Sequence, residues 1–490
     1  VLQYPPLPME HPGPAAGSRL PPGCIFVQVL RPRNFEPDIY LSTCAGSLRA
    51  DGIAVRRARI RVAGEAMVSG GRQVGAPLRE RLQAFLRAAP LSHVVLNSVP
   101  YPGLEEAIRE ALPGVTILAL NRDLPVFLPR LIREHLDGAA AAPQPPAPGT
   151  PHWALHGEPL TEFYDLVQRR RPPLMLEVTD LTPEVPATGM EGDLFIDQLC
   201  YYRAPYKGDQ PGLAGASSCT FCAIPQATRR SQPLDLAVAV DQIEAYLAAN
   251  PAARVFHVID YGILGHLAEL AEVIRRVPVR GLELCASVRA PDLLAHRAGI
   301  EAALPVFAAG GHRFHVFNVG FESFSEDEFT RLNKGYPVLQ NIHCVRYLYE
   351  LEARFPDAFV FSRWGAHGFI GVTCWSALSD LRRNAFHAHA LDFARLARRF
   401  FLRKLRLYPQ LPLHEVARRD GLLSSQAYED WRLNNAYWTG YAEETPYRFL
   451  HADTDRAYRW AARLLMPESD AERQWNAALR AALTPDFGED

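Results

Sequence analysis

The feature that most limits this fold is a recurring alternation: short apolar runs of strand length, each followed by a stretch with apolar residues at helical spacing. Cys24-Ile25-Phe26-Val27-Gln28-Val29-Leu30 is the first such run. Residues 38–50 then place Ile39, Leu41, Ala45 and Leu48 at mostly helical spacing, before Asp51-Gly52 ends the pattern. Further strands are expected at 53–62, 93–97 and 115–120, with helices near 78–88 and 104–112. Alternating strands and helices join by right-handed crossovers into a parallel sheet, so residues 23–137 are expected to form a doubly wound, Rossmann-like domain. Ser69-Gly70-Gly71 is not the G-x-G-x-x-G of a dinucleotide site.

Residues 1–22 are proline-rich and read as an extended leader, and residues 138–152 read as an Ala/Pro linker. After a bridging segment, 153–192, the alternation resumes. Strands are expected near 194–198, 255–259, 282–287, 314–320, 358–362, 368–373 and 405–408. Helices are expected near 236–249, 267–276, 326–332, 339–353, 378–401 and 414–419. This pattern predicts an α/β chain whose residues 193–423 form a partial or full TIM-like (β/α) barrel, with chemistry on the loops after its strands. Residues 424–490 are expected to form a helical C-terminal cap, in which Trp431, Tyr437, Trp438 and Tyr441 either line a cavity or simply pack.

With 490 residues the chain needs more than one core, since domains run to roughly 100–200 residues. Its formal charge of -2 offers no attraction to a polyanion, so no nucleic-acid partner is expected. No apolar run approaches the roughly 18–20 residues that span a bilayer, and no signal-peptide pattern opens the sequence, so a cytoplasmic protein without a membrane partner is expected. Eight cysteines are too few for a disulfide scaffold, and in a reducing compartment clustered thiols bind metal or do chemistry.

Those thiols cluster once, at Cys200, Cys219 and Cys222. Cys219-Thr220-Phe221-Cys222 alone is ambiguous between a redox pair, half of a zinc site, a cluster site and chance. Context narrows it, because the motif follows the first strand of the barrel-like region and Cys200 ends that strand. An iron-sulfur cubane held by three cysteines keeps one iron open, by the logic that separates a catalytic metal site from a closed one.

Here the sequence resembles the radical S-adenosylmethionine (SAM) superfamily, in particular its cobalamin-binding branch. Cys200-Tyr201-Tyr202 looks like the family's opening cysteine and aromatic followed by an insertion, and Cys219, Phe221 and Cys222 match the closing part of the motif. If Cys200 is not the third ligand, Asp209 or a distant thiol must serve. His257-Val258-Ile259-Asp260 resembles the second barrel strand. Val319-Gly320-Phe321-Glu322-Ser323 with Asn333-Lys334-Gly335-Tyr336 resembles the fourth strand and its Lys-Gly turn. Segments beginning at Gly368 and Leu405 resemble the fifth-strand region and the closing strand, so the likeness covers residues 193–423.

The resemblance implies a radical SAM barrel with a 4Fe-4S cluster on Cys200, Cys219 and Cys222. It implies SAM beside Phe221, Asp260, Glu322 and Ser323, and cobalamin on the N-terminal domain. Residues 41–55 are similar to that domain's first helix and turn, although the D-x-H-x-x-G stretch that supplies a lower histidine ligand is absent. The implied activity is methyl transfer to an unactivated carbon of a small molecule or natural-product precursor, the partners being a small-molecule or peptide substrate and an electron donor such as a flavodoxin or ferredoxin. Radical rearrangement, cyclisation or ring contraction without methyl transfer is the alternative, and a zinc-stapled binding protein is the non-enzymatic one. No catalytic residue is identified. Local alternatives remain for two of the SAM residues: Asp260 as a strand-end turn residue, and Glu322 as a helix-entry residue, with Ser323 and Glu326 forming a capping box.

Overall fold

The computed structural model describes residues 20–30, 39–61, 75–97, 103–120, 124, 127–138, 162–163, 165–185, 192–196, 200, 202–222, 235–361, 367–397, 401, 403–408, 411–424 and 445–465. The leader up to residue 19, Ser69 to Gly71, most of the Ala/Pro linker and the aromatic residues Trp431, Tyr437, Trp438 and Tyr441 lie outside them. The chain divides into two compact units, residues 1–145 with 172–190, and residues 146–171 with 191–490.

In the first unit the elements run β1 (Cys24–Leu30), α1 (Ile39–Ala50), β2 (Val55–Arg61), α2 (Ala76–Ala88), β3 (His93–Leu96), α3 (Leu104–Ala111), β4 (Thr116–Ala119), α4 (Pro129–Leu136) and β5 (Thr179–Asp180). Their order in the sheet is β4-β3-β1-β2-β5, with every pairing parallel. From β1 the chain steps outward to β2, then returns to build β3 and β4 on the other side. Right-handed crossovers in opposite directions put α1 and α4 on one face and α2 and α3 on the other. All seven β1 residues are buried, as a central strand covered on both faces requires.

Beyond the expected strands, residues 172–185 add β5 to this unit. They pass over α1 where Gly46 has no side chain to obstruct the Pro173 carbonyl. The buried Arg57 guanidinium donates to Ser42 Oγ at 2.9 Å and to the Met175 carbonyl, while Met175 N donates to Ser42 O at 3.1 Å.

The second unit contains β6 (Gly192–Phe195), α5 (Ala237–Ala249), β7 (Val255–Ile259), α6 (Leu267–Ile274), β8 (Glu283–Val288), α7 (Ala290–Ala295), α8 (Arg297–Gly310) and β9 (Arg313–Glu322). These are followed by α9 (Glu326–Arg331), α10 (Val338–Arg354), β10 (Phe359–Val360), β11 (Gly368–Phe369), α11 (Leu378–Ala390), α12 (Pro412–Arg419) and α13 (Ala452–Leu465). The strands lie in the order β6-β7-β8-β9-β10, all parallel. β10 joins the start of β9 and β11 its end, and a parallel bridge between Val372 and Lys404 continues past β11. Among the described residues no pairing joins β6 to that far edge, so what is present is a sequentially ordered parallel sheet.

Several expectations change here: β11 covers only the first two residues of the strand expected at 368–373, and α7 was not expected. The helix expected at 378–401 ends at Ala390, because Asp392 adopts a left-handed conformation (φ 48°) and a short 3-10 turn at 393–395 follows. The strand expected at 405–408 is only a pair of isolated bridges, through Lys404 and Leu407. Helix α8 was not among the expected elements; it carries Pro305 in its interior and buries Ile300, Ala303, Leu304 and Phe307 at helical spacing.

Candidate functional site

The residues between Cys200 and Cys219 form a folded-back excursion. Its arms run antiparallel: Ser218 N donates to Ala204 O at 3.0 Å, Tyr206 N donates to Ala216 O at 2.8 Å, and Pro205 bridges Ser217. Pairing of residue 204 with residue 218 forces the chain before 204 and the chain after 218 to emerge side by side. The proton affinity of Cys219 accordingly feels the Cys200 thiol. Cys222 follows one turn later, its N–H donating to Cys219 O at 3.3 Å. Cys219 is buried, and Cys200 and Cys222 are half-buried.

This loop is docked on the turn that ends α9. Asn333 holds a left-handed conformation (φ 50°) and its side-chain amide donates to Ala204 O at 3.1 Å and Ser218 O at 2.7 Å. Thr220 donates through its hydroxyl to Arg331 O and through its N–H to Leu332 O. Next to it, Gly335 (φ 76°) leaves the room that Tyr202 Oη occupies. The sequence Asn333-Lys334-Gly335 therefore has a structural reason: two left-handed residues flank a lysine that is turned inward.

Lys334 is 4% exposed, and its Nζ lies 3.1 Å from Glu322 Oε1 and 5.8 Å from the centre of the Phe221 ring. Burial alone would lower its pKa, but Glu322 and Cys219 outweigh this and hold it above the ordinary lysine range, so it is charged. Glu322 ends β9 in a left-handed conformation (φ 60°), a strained state for a residue with a side chain. Its carboxylate sits where a Cβ on Gly320 would come within 2.7 Å of Oε1. Arg289, the residue after β8, donates to Lys334 O at 2.9 Å and stacks on Tyr202 at 4.1 Å. Burial pushes the Cys219 thiol up, Lys334 and Arg289 oppose the shift, and Cys200 and Glu322 reinforce it. Tyr202 is pushed up to about 12, first by burial and then by Cys219.

Of the residues singled out from sequence, Cys200, Cys219, Phe221 and Glu322 are thus drawn into one electrostatic neighbourhood, with Cys222 one turn away. Asp260 and Ser323 are engaged locally. Asp260 Oδ1 accepts from Gly262 N at 2.7 Å, a strand-end turn. Ser323 Oγ donates to Asn384 Oδ1 at 3.0 Å and accepts from Ser325 N at 3.1 Å, within a fully buried network. Glu326 does not close a capping box with Ser323; it accepts from Val338 N at 2.9 Å, at the start of α10. Sequence reasoning gave no role to Arg289 or Lys334. The signal for Arg289 was its position directly after a strand, and for Lys334 its place between two turn residues.

A single zinc ion at about 2.3 Å from each thiolate would bring sulfurs within roughly 3.8 Å of one another. Cys200, Cys219 and Cys222 do not form a set that close. Among the described residues the one group of three metal-ligating atoms all within 4.8 Å is Glu283, Cys285 and His315.

No family model matches the sequence, and no curated protein matches it. Among solved structures, the chain is similar to apo, selenomethionine-labelled OxsB, described as a cobalamin-dependent S-adenosylmethionine radical enzyme. The identity is 14% and the TM-score 0.47, over 90% of this chain and 66% of that one. The chain therefore spans just under two thirds of that protein, and so loose a likeness carries no chemistry across. Among the described residues no helix is long and apolar enough to cross a membrane.

Proposed function

We propose that this chain is an iron-sulfur enzyme of the radical SAM type, with its cluster on Cys200, Cys219 and Cys222. What supports the reading above all is the hairpin that returns Cys219 to Cys200, because it accounts for an insertion that would otherwise separate the first ligand from the other two. Lys334 and Arg289 favour the thiolate form of Cys219 and offset the negative charge that three thiolates would gather. Phe221 offers an apolar wall beside Lys334, and the Glu322 carboxylate, fixed by that lysine, offers acceptors for a polar cofactor end. When bound, cluster and SAM supply reductive cleavage of a sulfonium carbon–sulfur bond and the hydrogen-abstracting radical it releases. A barrel at residues 193–423 is part of this reading.

The finer reading is methyl transfer to an unactivated carbon of a small molecule or natural-product precursor, with cobalamin on the first unit and a flavodoxin or ferredoxin as reductant. What supports cobalamin is the strand order, whose reversal between β1 and β3 makes the crevice where doubly wound sheets take ligands. The loops after those two strands lie outside the described residues.

Anaerobic purification with iron and sulfide counting tests the main reading. About four irons per chain are expected, falling to background in Cys219→Ala, Cys222→Ala and Cys200→Ala. Iron-free wild-type protein would refute the cluster, and full iron in Cys200→Ala would remove that residue from it. Turnover with methyl-labelled SAM tests the finer reading: label in product with S-adenosylhomocysteine supports methyl transfer, whereas 5′-deoxyadenosine alone supports rearrangement or cyclisation.

A further inference from the structure

At the opposite end of the same sheet from the cysteine loop lies a second group of metal-ligating side chains. Glu283 and Cys285 are two residues apart on β8, so they share a face, and His315 is in register with Cys285 on β9. All three are buried. His315 Nδ1 lies 2.9 Å from Glu283 Oε1 and 3.5 Å from Cys285 Sγ, and the sulfur lies 4.0 Å from the same carboxylate oxygen. A tetrahedral zinc ion asks for about 3.3 Å between nitrogen and oxygen and about 3.6 Å from sulfur to either. A point equidistant from the three observed atoms lies about 2.1 Å from each, within the 2.0–2.3 Å of zinc bonds.

We infer that Glu283, Cys285 and His315 form a zinc site, separate from the proposed cluster and not dependent on it. A catalytic triad does not fit the same atoms. Cys285 and Glu283 meet one ring nitrogen of His315, which cannot both take the thiol proton and donate to the carboxylate. The mixed oxygen, nitrogen and sulfur set suits a borderline-soft dication rather than calcium, magnesium or an iron-sulfur cluster. The same register row continues to His257 on β7 and Asp193 on β6. There Asp193 Oδ1 lies 3.0 Å from His257 Nδ1, a polar pair next along the row that is not part of the ligand set. His315 and Glu322 are seven residues apart on β9, about 23 Å at strand rise, so one ion cannot serve both sites.

The test uses the full chain produced with zinc supplied and no chelator, with zinc and iron counted in the same sample. Wild type is expected to hold one zinc ion, and Cys285→Ala and His315→Gln are expected to fall to about a tenth of that with iron unchanged. The double variant Cys219→Ala/Cys222→Ala is expected to lose iron and keep zinc, which separates failure of this site from failure of the cluster. Since a core lesion can unfold the sheet, that double variant is also stripped and reloaded with cobalt(II), where thiolate-to-cobalt charge-transfer absorption is expected. Zinc-free wild type, zinc unaffected by both lesions in folded protein, or cobalt without that absorption overturns the inference.

Discussion

His367 is wired through both ring nitrogens. Val319 N donates to Nδ1 at 3.0 Å, so the proton resides on Nε2, which donates to the Phe361 carbonyl. The ring is fully buried, and burial, with smaller contributions from His315 and Arg403, lowers its pKa to about 3 against the opposing bond to Phe361. A histidine with a depressed folded pKa stays neutral in the fold, while the unfolded chain binds a proton below about 6.5. Its contribution is therefore complete above pH 6.5 and is lost as pH falls toward the folded value. The loss is about 1.4 kcal/mol at pH 5.5 and about 2 kcal/mol at pH 5. Urea unfolding of wild type and His367→Asn between pH 7.5 and 5 isolates this histidine from the others: the stability gap between them should shrink by those amounts. NMR of labelled imidazoles reads the group directly. A His367 resonance titrating near 6.5, or a gap independent of pH, would refute the argument. The effect reaches the site, because Val319 lies three residues before Glu322 on the strand that His367 pins.

Glu322→Gln should destabilise the second unit by about 3–5 kcal/mol, since it strands a buried ammonium, and Glu322→Leu/Lys334→Met should recover most of that in urea unfolding. Gly335→Ala meets both a left-handed backbone and Tyr202, so it should lower bound iron as well as stability. Gly421→Ala, equally left-handed but with open space around it, should cost about 1–2 kcal/mol and leave iron unchanged. Arg57→Met should cost the first unit about 2–3 kcal/mol and speed amide exchange at Met175, whose carbonyl and N–H are both tied into that network.

The strands and helices that could be read from the sequence are those with a strong period and clean stops. β1, β7, α5 and α10 lie within a residue or two of their expected ranges because Gly, Pro and Asn bound them. β5 was hidden because two polar residues carry no period, whereas α8, with Ile300, Ala303, Leu304 and Phe307 at helical spacing, was legible and was missed. At the site, the C-x-x-C and the acidic strand end were visible, but the partners that give them chemistry were not. Lys334 and Arg289 acquire meaning only once β8, β9 and the α9 turn converge, and a surface lysine looks the same in sequence as a buried one. The Glu283, Cys285 and His315 group was invisible for a related reason: its members are 32 residues apart at the extremes and meet only through strand register.

β9 carries a consequence for the evolution of this chain. With His315 near its start and Glu322 at its end, β9 fits one extra residue at Phe317, where Ala286 pairs with Val316 but Ser287 with Asn318, so the facing of everything downstream depends on that single irregularity being kept. Length changes in descendants of this sequence should therefore collect in its connecting loops, while this strand drifts only by substitution.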